Sequence, residues 1–514
     1  MSSTAAQDLS GLLRQLASAH GDRVAVRDEH RSLTFAKLDR WADTWATAWD
    51  RAGYGRGQRI ALLAPNSSAW LAAAFGVWRA GATLVPVSTF VTARELDEIL
   101  AHSEVDALIL QSRFRNHSLL ETFEATTLAR QLQTVVVLDG EAGDARLSAN
   151  EFLRADEPTA AGRIAPESPA CILYTSGTTG RPKGVVLSHR SLLATVQPTA
   201  RRSGLTSVDS LLSSLPLFWV AGLVIRALPT LAAGCELILM ESFTPEAAIA
   251  ALEQHRPTAL HLRPPQVGQL LAHPGYRSEL LATVRKGNGR VEWFDGQLAP
   301  DASFITGYGM TEMSGYVTAL DWRDPPEVRR EQIGTPLPGV ELVVVDDNGM
   351  RCAAGTIGEV WVRGPGLFSG YYRESPALGR SMDGYFRTGD LGCIDDAGSF
   401  HFVGRSKDLL RVKGINVSPL EVEAVLAGHP DIEAAYVVGL PADGFDQTLV
   451  ALVIARNPLD EPALRQHAAQ LLSHYKRPEA YVWLRREEVP LGQTSKPQRA
   501  QLAAIAAERL GRNA

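Results

Sequence analysis

The chain has little cysteine, with only Cys171, Cys235, Cys352 and Cys393 in 514 residues. They are far apart, and none shares a CxxC spacing or a Cys/His cluster, so neither a disulfide framework nor a zinc site is indicated. A reducing compartment fits that usage. No run of about 18 apolar residues occurs, which excludes a membrane-spanning helix. The opening MSSTAAQDLSGLLRQLASAHGD lacks the basic-then-apolar order of a secretion signal. Its Leu9, Leu12, Leu13 and Leu16 instead have the spacing of an amphipathic helix. The closing GRNA is neither a prenylation nor a peroxisomal signal. A cytoplasmic protein is expected. Charge of one sign is not in excess either. A net charge of -6 and a pI near 6.1 give no global attraction to nucleic acid or to an acidic membrane. Any anionic ligand must therefore be held by a local site.

What is present is a soluble globular composition, 45% hydrophobic and 21% charged, on a chain too long for one ordinary core. Two or more domains are expected. Up to about residue 400, β-rich runs such as RIALLAP, ATLVPV, ALILQ, TVVVLDG and CELILM alternate with helical stretches such as SSAWLAAAFGVWRAG and ARELDEILAHS. Alternation of this kind predicts an α/β body with largely parallel sheet. Residues 341–403 change to β runs separated by Gly-rich turns, which predicts a compact β subdomain. After the polar, basic GRSKDLLRVKG, a small α+β unit is legible in PLEVEAVLAGHP, AAYVVGL, TLVALVIA, EPALRQHAAQLLSHY and AYVWL. The expected domains are 1–404 and 405–514, with the junction near Lys407.

The densest chemical signal is YTSGTTGRPKG, residues 174 to 184. Glycines let backbone amides approach an anion, the hydroxyls of Thr175, Ser176, Thr178 and Thr179 add donors, and Lys183 adds charge. Gly177 and Gly180 belong to the same loop. A Walker A loop is excluded, because Lys183 is followed by Gly184 and an apolar run instead of Ser or Thr opening a helix. CILY before the loop and GVVL after it predict strand, loop, strand. Three further elements follow in order. GYGMTE, Gly307 to Glu312, offers an aromatic face, a hydroxyl and a carboxylate. TGD ends at Asp390, and GRSKD spans Gly404 to Asp408. A purine can stack on Tyr308, a ribose diol can be held by Asp390, and Glu312 can ligate a Mg²⁺ that bridges phosphates.

This ordered set resembles the adenylate-forming superfamily of acyl-CoA synthetases, adenylation domains of nonribosomal peptide synthetases and beetle luciferases, and most of all the AMP-forming acyl-CoA synthetases. The resemblance spans nearly the whole chain. It implies a large N-terminal AMP-binding domain, a small mobile C-terminal domain, and two half-reactions. ATP and Mg²⁺ first convert a carboxylic acid to acyl-AMP with release of pyrophosphate; a thiol, that of coenzyme A, then displaces AMP. It further implies Lys183 near the leaving phosphates, Thr311 toward the α-phosphate, Arg405 beside Asp390, Lys407 as the hinge, Gly307 at the acyl pocket, Gly414 on the pantetheine path, and Lys496 as the catalytic lysine.

The segment LPLFWVAGL carries Trp219 where many acyl-CoA synthetases have histidine. It offers no carboxylate for a substrate ammonium, which could not be buried unpaired. The expected substrate is therefore a carboxylic acid without an α-amino group, with Trp219 at the acyl pocket or, alternatively, a plain core aromatic. Two departures from the family pattern stand out: KGNGRVEWFDGQ in place of a GGAP-like turn, and Ser495 where glycine usually precedes the lysine. A carrier protein bearing phosphopantetheine, or an amine, is the alternative acceptor.

Overall fold

The computed structural model describes residues 6–139, 146–154, 162, 164–175, 182–346, 348–375, 377–381, 383–405, 410–417, 419–442, 446–490 and 497–511. The N-terminal leucines form the expected helix, Leu9–His20, and all four are buried. Two large sheets follow. The first runs in the order Ser303–Ile305, Lys286–Asn288, Ala259–His261, Ser210–Ser213, Glu236–Leu239, Val24–Arg27 and Ser32–Thr34. All its pairs are parallel except the last. The second has Thr83–Val87, Arg59–Leu63, Ala107–Leu110 and Thr134–Val137 as its parallel heart. Strands such as Thr83–Val87 are buried at every position, as expected of parallel strands covered on both faces.

Helix Ser68–Arg79 is buried nearly all round, and it packs on helix Phe35–Arg51 through a glycine. A Cβ at Gly76 would lie 2.1 Å from Cβ of Trp45, so only glycine admits the helix at that distance. Arg79, at the end of this helix, is 1% exposed and is neutralised by Asp39 and Asp43.

The β-rich segment closes as an antiparallel sheet of Glu341–Val345, Gly358–Arg363, Phe386–Ile394 and Phe400–Arg405. The C-terminal unit is a three-stranded sheet, Ile432–Pro441, Gln447–Ala455 and Ala480–Trp483. Helices Pro419–Ala427 and Glu461–Leu471 supply one of its cores, with Val422, Leu426 and Leu464; helix Arg499–Leu510 supplies the other, with Leu502 and Ala506. A hairpin, Leu410–Val412 with Ile415–Val417, precedes it. Among the described residues, no helix is long and apolar enough to cross a membrane.

Candidate functional site

The expected strand, loop, strand is present around the phosphate-type loop. Pro169–Thr175 pairs antiparallel with Lys183–Ser188, and Thr175 stands opposite Lys183. That register brings the two ends of the loop together and adds Lys183 to its base. Ser176, Gly177, Thr178, Thr179 and Gly180 lie outside the described residues, as do Lys407 and Lys496. A third short strand, Gly370–Tyr371, pairs with Val185 and Val186. It delivers Tyr371, a residue the sequence reading missed, to the site. The Lys183 ammonium lies 5.1 Å from the Tyr371 ring centre, a cation–π contact. The Tyr371 hydroxyl donates to Glu312 Oε1 at 2.9 Å. Burial, with the Glu312 carboxylate second, raises the Tyr371 pKa, so the phenol stays a donor. The basic loop residue and the expected metal-ligating carboxylate are thus bridged by one ring. The available signal was the Gly370, Tyr371, Tyr372 run, which reads as an ordinary turn unless its strand pairing is known.

GYGMTE folds as a tight hairpin, with Gly309 opposite Tyr316. It follows strand Ser303–Ile305 at the carboxyl edge of the parallel sheet, where open α/β sheets form their ligand crevices. Tyr308 donates to Asp390 Oδ2 at 2.6 Å, joining residues 82 positions apart in sequence. Its ring stacks on Phe402, with centroids 5.8 Å apart and planes at 24°, and packs on Phe400. Phe402 is 46% exposed, a large aromatic kept at the surface beside Tyr308 and Asp390. Asp390 stands opposite Arg405 on the neighbouring strand, so the backbone register sets these two side by side. Thr311 opens the short helical turn Thr311–Met313 and remains partly accessible.

Gly307 is constrained by packing. A Cβ there would fall 2.2 Å from the Thr318 carbonyl oxygen and 2.9 Å from the Tyr316 ring. Tyr316 in turn meets the segment that follows Trp219. Ile225 packs against the cluster of Tyr316, Ala319 and Leu337, and Arg226 donates to the Tyr316 hydroxyl at 2.9 Å. Trp219 is half-buried in an aromatic group with Phe218 at 5.2 Å and Phe90 at 6.1 Å. The unassigned GNG segment also finds its place. Asn288 ends strand Lys286–Asn288 and donates to the Tyr316 hydroxyl at 3.1 Å. In register with it are His261 and Ile305, each the last residue of its own strand.

Among the described residues, the small domain reaches this body at two places. Lys413 and Gly414 form the two-residue turn of the hairpin, at φ values of +50° and +77°. Both residues therefore occupy the left-handed region that such tight hairpin turns demand. The Lys413 carbonyl accepts from Arg263 Nη1 at 2.8 Å, and Gly414 is held by Asp446, whose Oδ1 accepts from its N–H at 2.9 Å. The second point is ionic. Glu95, in the first turn of helix Ala93–Ser103, accepts from Lys476 Nζ at 3.1 Å and from Ser473 Oγ at 2.9 Å. Lys476 also donates to Glu421 at 2.6 Å. Burial alone would lower the Lys476 pKa, but Tyr475, Glu421 and Glu95 together outweigh it and raise the value.

Comparison with known proteins agrees with this geometry. The family model described as AMP-binding enzyme matches residues 13–372, and that of the AMP-binding enzyme C-terminal domain matches residues 421–496. The chain is similar to a feruloyl-CoA synthase from Amycolatopsis sp., 32% identical over 464 residues, covering 89% of this chain and 91% of that protein. It is also similar to an indoleacetate–CoA ligase from Aromatoleum aromaticum, 30% identical over 516 residues, covering 97% and 98%. Among solved structures, the amide bond synthetase McbA from Marinactinospora thermotolerans aligns with a TM-score of 0.83 at 29% identity, covering 96% of this chain and 99% of that one. The mixed α/β body with a separate small C-terminal domain, the site at the sheet edge and both family matches lead to one conclusion: the chain belongs to the AMP-binding enzyme family, the adenylate-forming enzymes.

Proposed function

We propose that the chain is an AMP-forming acid–thiol ligase that activates a carboxylic acid with ATP and then transfers the acyl group to coenzyme A. The observation that carries this reading is the convergence of two groups from distant segments: Tyr308 on Asp390, suited to a nucleoside, and Lys183 with Tyr371 and Glu312, suited to phosphates. In this reading adenine stacks beside Tyr308, the ribose diol bonds Asp390, and Arg405 stands next to it. Thr175, Ser176, Gly177, Thr178, Thr179 and Gly180 surround the leaving phosphates together with Lys183.

Attack of a carboxylate on a triphosphate brings anion to anion, at about 4 kcal/mol for unit charges about 4 Å apart at an effective dielectric near 20. Cations at the α-phosphate are needed, and Lys496 is assigned that role, with Thr311 as a donor to the same group. Removing one such stabiliser costs about a hundredfold to a thousandfold in rate. Mg²⁺ fits Glu312, since this ion is commonly held by one or two carboxylates with substrate phosphates and water completing its shell. Tyr371 bonds only Oε1, and among the described residues nothing donates to the second Glu312 oxygen, which suits that use. When bound, the ion neutralises charge on the phosphates.

For the second half-reaction, the small domain turns about Lys407, and Gly414 borders the pantetheine path. The contact of its hairpin with Arg263 supports that assignment. The acid has no α-amino group, and Trp219 lines its pocket. The pocket side holds the buried cation Arg226, and no described carboxylate forms an ion pair with it, a poor setting for an ammonium. A carrier protein or an amine is the second reading for the acceptor; the similarity to an amide bond synthetase favours keeping the amine.

The test is pyrophosphate release from ATP and Mg²⁺ with aliphatic, aromatic and amino acids, each with and without coenzyme A. Acid-dependent release that becomes multiple-turnover only with coenzyme A is expected. Release that coenzyme A does not stimulate would transfer the assignment to another acceptor.

A further inference from the structure

A buried cation beside the site bonds none of the residues assigned above to the nucleotide. Arg226 lies in the π-helical turn Leu223–Ala227, downstream of Trp219, and is 5% exposed. Its Nε donates to His261 Nδ1, its Nη1 to the Ile225 carbonyl at 2.6 Å, and its Nη2 to the Tyr316 hydroxyl at 2.9 Å. None of these partners is an anion. Among the described residues no carboxylate forms an ion pair with Arg226, whereas the buried Arg79 of the same body has two. A guanidinium taken out of water without a counter-charge is costly, and burial pulls its pKa down.

The neighbours sharpen the point. Both acceptor sites of the Tyr316 oxygen are engaged, by Arg226 and by Asn288 at 3.1 Å, so its own proton is left to donate. His261 accepts at Nδ1, so in its neutral form the proton is on Nε2, a donor with no acceptor among the described residues. Burial, then the charges of Arg226 and Arg263, hold His261 well below the usual histidine range and so keep it neutral. Arg226 itself keeps two of its five N–H groups beyond the three bonds described. Arg263, two residues after His261, has a buried Nε with no hydrogen-bond partner among the described residues. The cluster therefore presents several donors and positive charge, and among the described residues no carboxylate pairs with Arg226. It sits where parallel strands end, one tyrosine side chain from Gly307, because the Tyr316 ring lies against Gly307 and its hydroxyl meets Arg226.

We propose that the acid carries a second anionic group, a carboxylate or a sulfonate a short spacer away from the reacting carboxylate, and that Arg226 receives it, with Tyr316 and His261 as further donors. Asn288 is a positioning residue that acts through the Tyr316 hydroxyl. This proposal rests on the acid-activating reading above and names its substrate class.

The experiment compares chain-matched acids on the wild-type enzyme: butanoate, succinate and 3-sulfopropanoate, then hexanoate and adipate. The doubly anionic acids are expected to show kcat/KM at least about tenfold above their neutral-tailed partners, a gap that a single charge-assisted hydrogen bond supplies. The carboxylate and sulfonate arms separate the two anion types. Arg226→Met is expected to lower the ratio of dianion to monoanion kcat/KM by about a hundredfold, and Arg226→Lys to restore part of it. A merely structural arginine would lower kcat/KM for both acids and leave the ratio unchanged, and that result overturns the proposal. Should no acid support pyrophosphate release, the activity reading falls. Calorimetric binding of acyl-sulfamoyl adenosine analogues built on succinate and on butanoate then decides the proposal separately, and equal affinity for the two overturns it.

Discussion

The Glu95 to Lys476 contact ties the small domain to the large one, and Glu95→Gln isolates it. Both side chains are nearly buried, at 8% and 9% exposure, so solvent screening is slight. Glutamine keeps the shape of the side chain, and its remaining oxygen can keep the capping bond from the Thr92 N–H, at 2.9 Å in the native helix. Its amide NH₂ then faces the Lys476 ammonium in place of a carboxylate oxygen. Lys476 retains Glu421 within its own domain, so no buried charge is left alone. The Ser473 hydroxyl can still bond the retained oxygen, and the long 3.3 Å bond from the Ser473 N–H is lost with the charged bond from Lys476; the charged bond dominates at about 2 kcal/mol, or about thirtyfold in the docking equilibrium. Because the small domain has its own cores, this loss falls on docking and not on folding. The docked arrangement is the one that brings the Gly414 hairpin to Arg263. Thioester formation from supplied acyl-adenylate and coenzyme A is expected to slow by up to about thirtyfold, while ATP–pyrophosphate exchange is maintained and the melting temperature barely moves. An equal fall in both half-reactions, or an unchanged thioester step, would refute the reasoning.

Two other perturbations test the site and the fold. Tyr371→Phe keeps the ring beside Lys183 but removes the donor to Glu312. An approximately tenfold loss of kcat/KM for ATP and a higher Mg²⁺ requirement are expected from magnesium titrations, and an unaltered titration would break the link. His189 bears on stability. It is 1% exposed, its Nδ1 accepts from the Leu9 N–H at 3.3 Å, and burial pulls its pKa from 6.5 down to about 4. Between those values the unfolded chain binds a proton that the folded chain does not. The stability from neutral His189 is thus complete above pH 6.5 and is lost as pH falls toward about 4, amounting to about 3 kcal/mol. Urea unfolding followed from about pH 7.5 to about pH 5 should show that slope, and His189→Asn should flatten it in part, His261 remaining. A variant with the wild-type slope would remove His189 as a source.

The division between what was legible in the sequence and what was not follows the range of the interactions. The parallel body, the antiparallel β segment and the small α+β unit are written in short-range patterns of apolar residues and turns, which act within a few neighbours. The strand, loop, strand around Thr175 and Lys183 is equally local. Tyr308, Asp390 and Glu312 could be named because each sits in a compact motif whose chemistry is carried by adjacent residues. Tyr371, Glu95, Lys476 and Arg226 could not. Each is an ordinary residue in its own segment and gains meaning only from a partner tens to hundreds of positions away. Gly307 illustrates the same limit, since the Thr318 carbonyl and the Tyr316 ring that exclude a side chain there are set by how the hairpin folds back. The sequence by itself determined the elements, their order and the family. Tertiary structure alone decided which side chains share a site, which buried charges are neutralised and where the small domain rests, because those depend on distances that close only when the sheets pack.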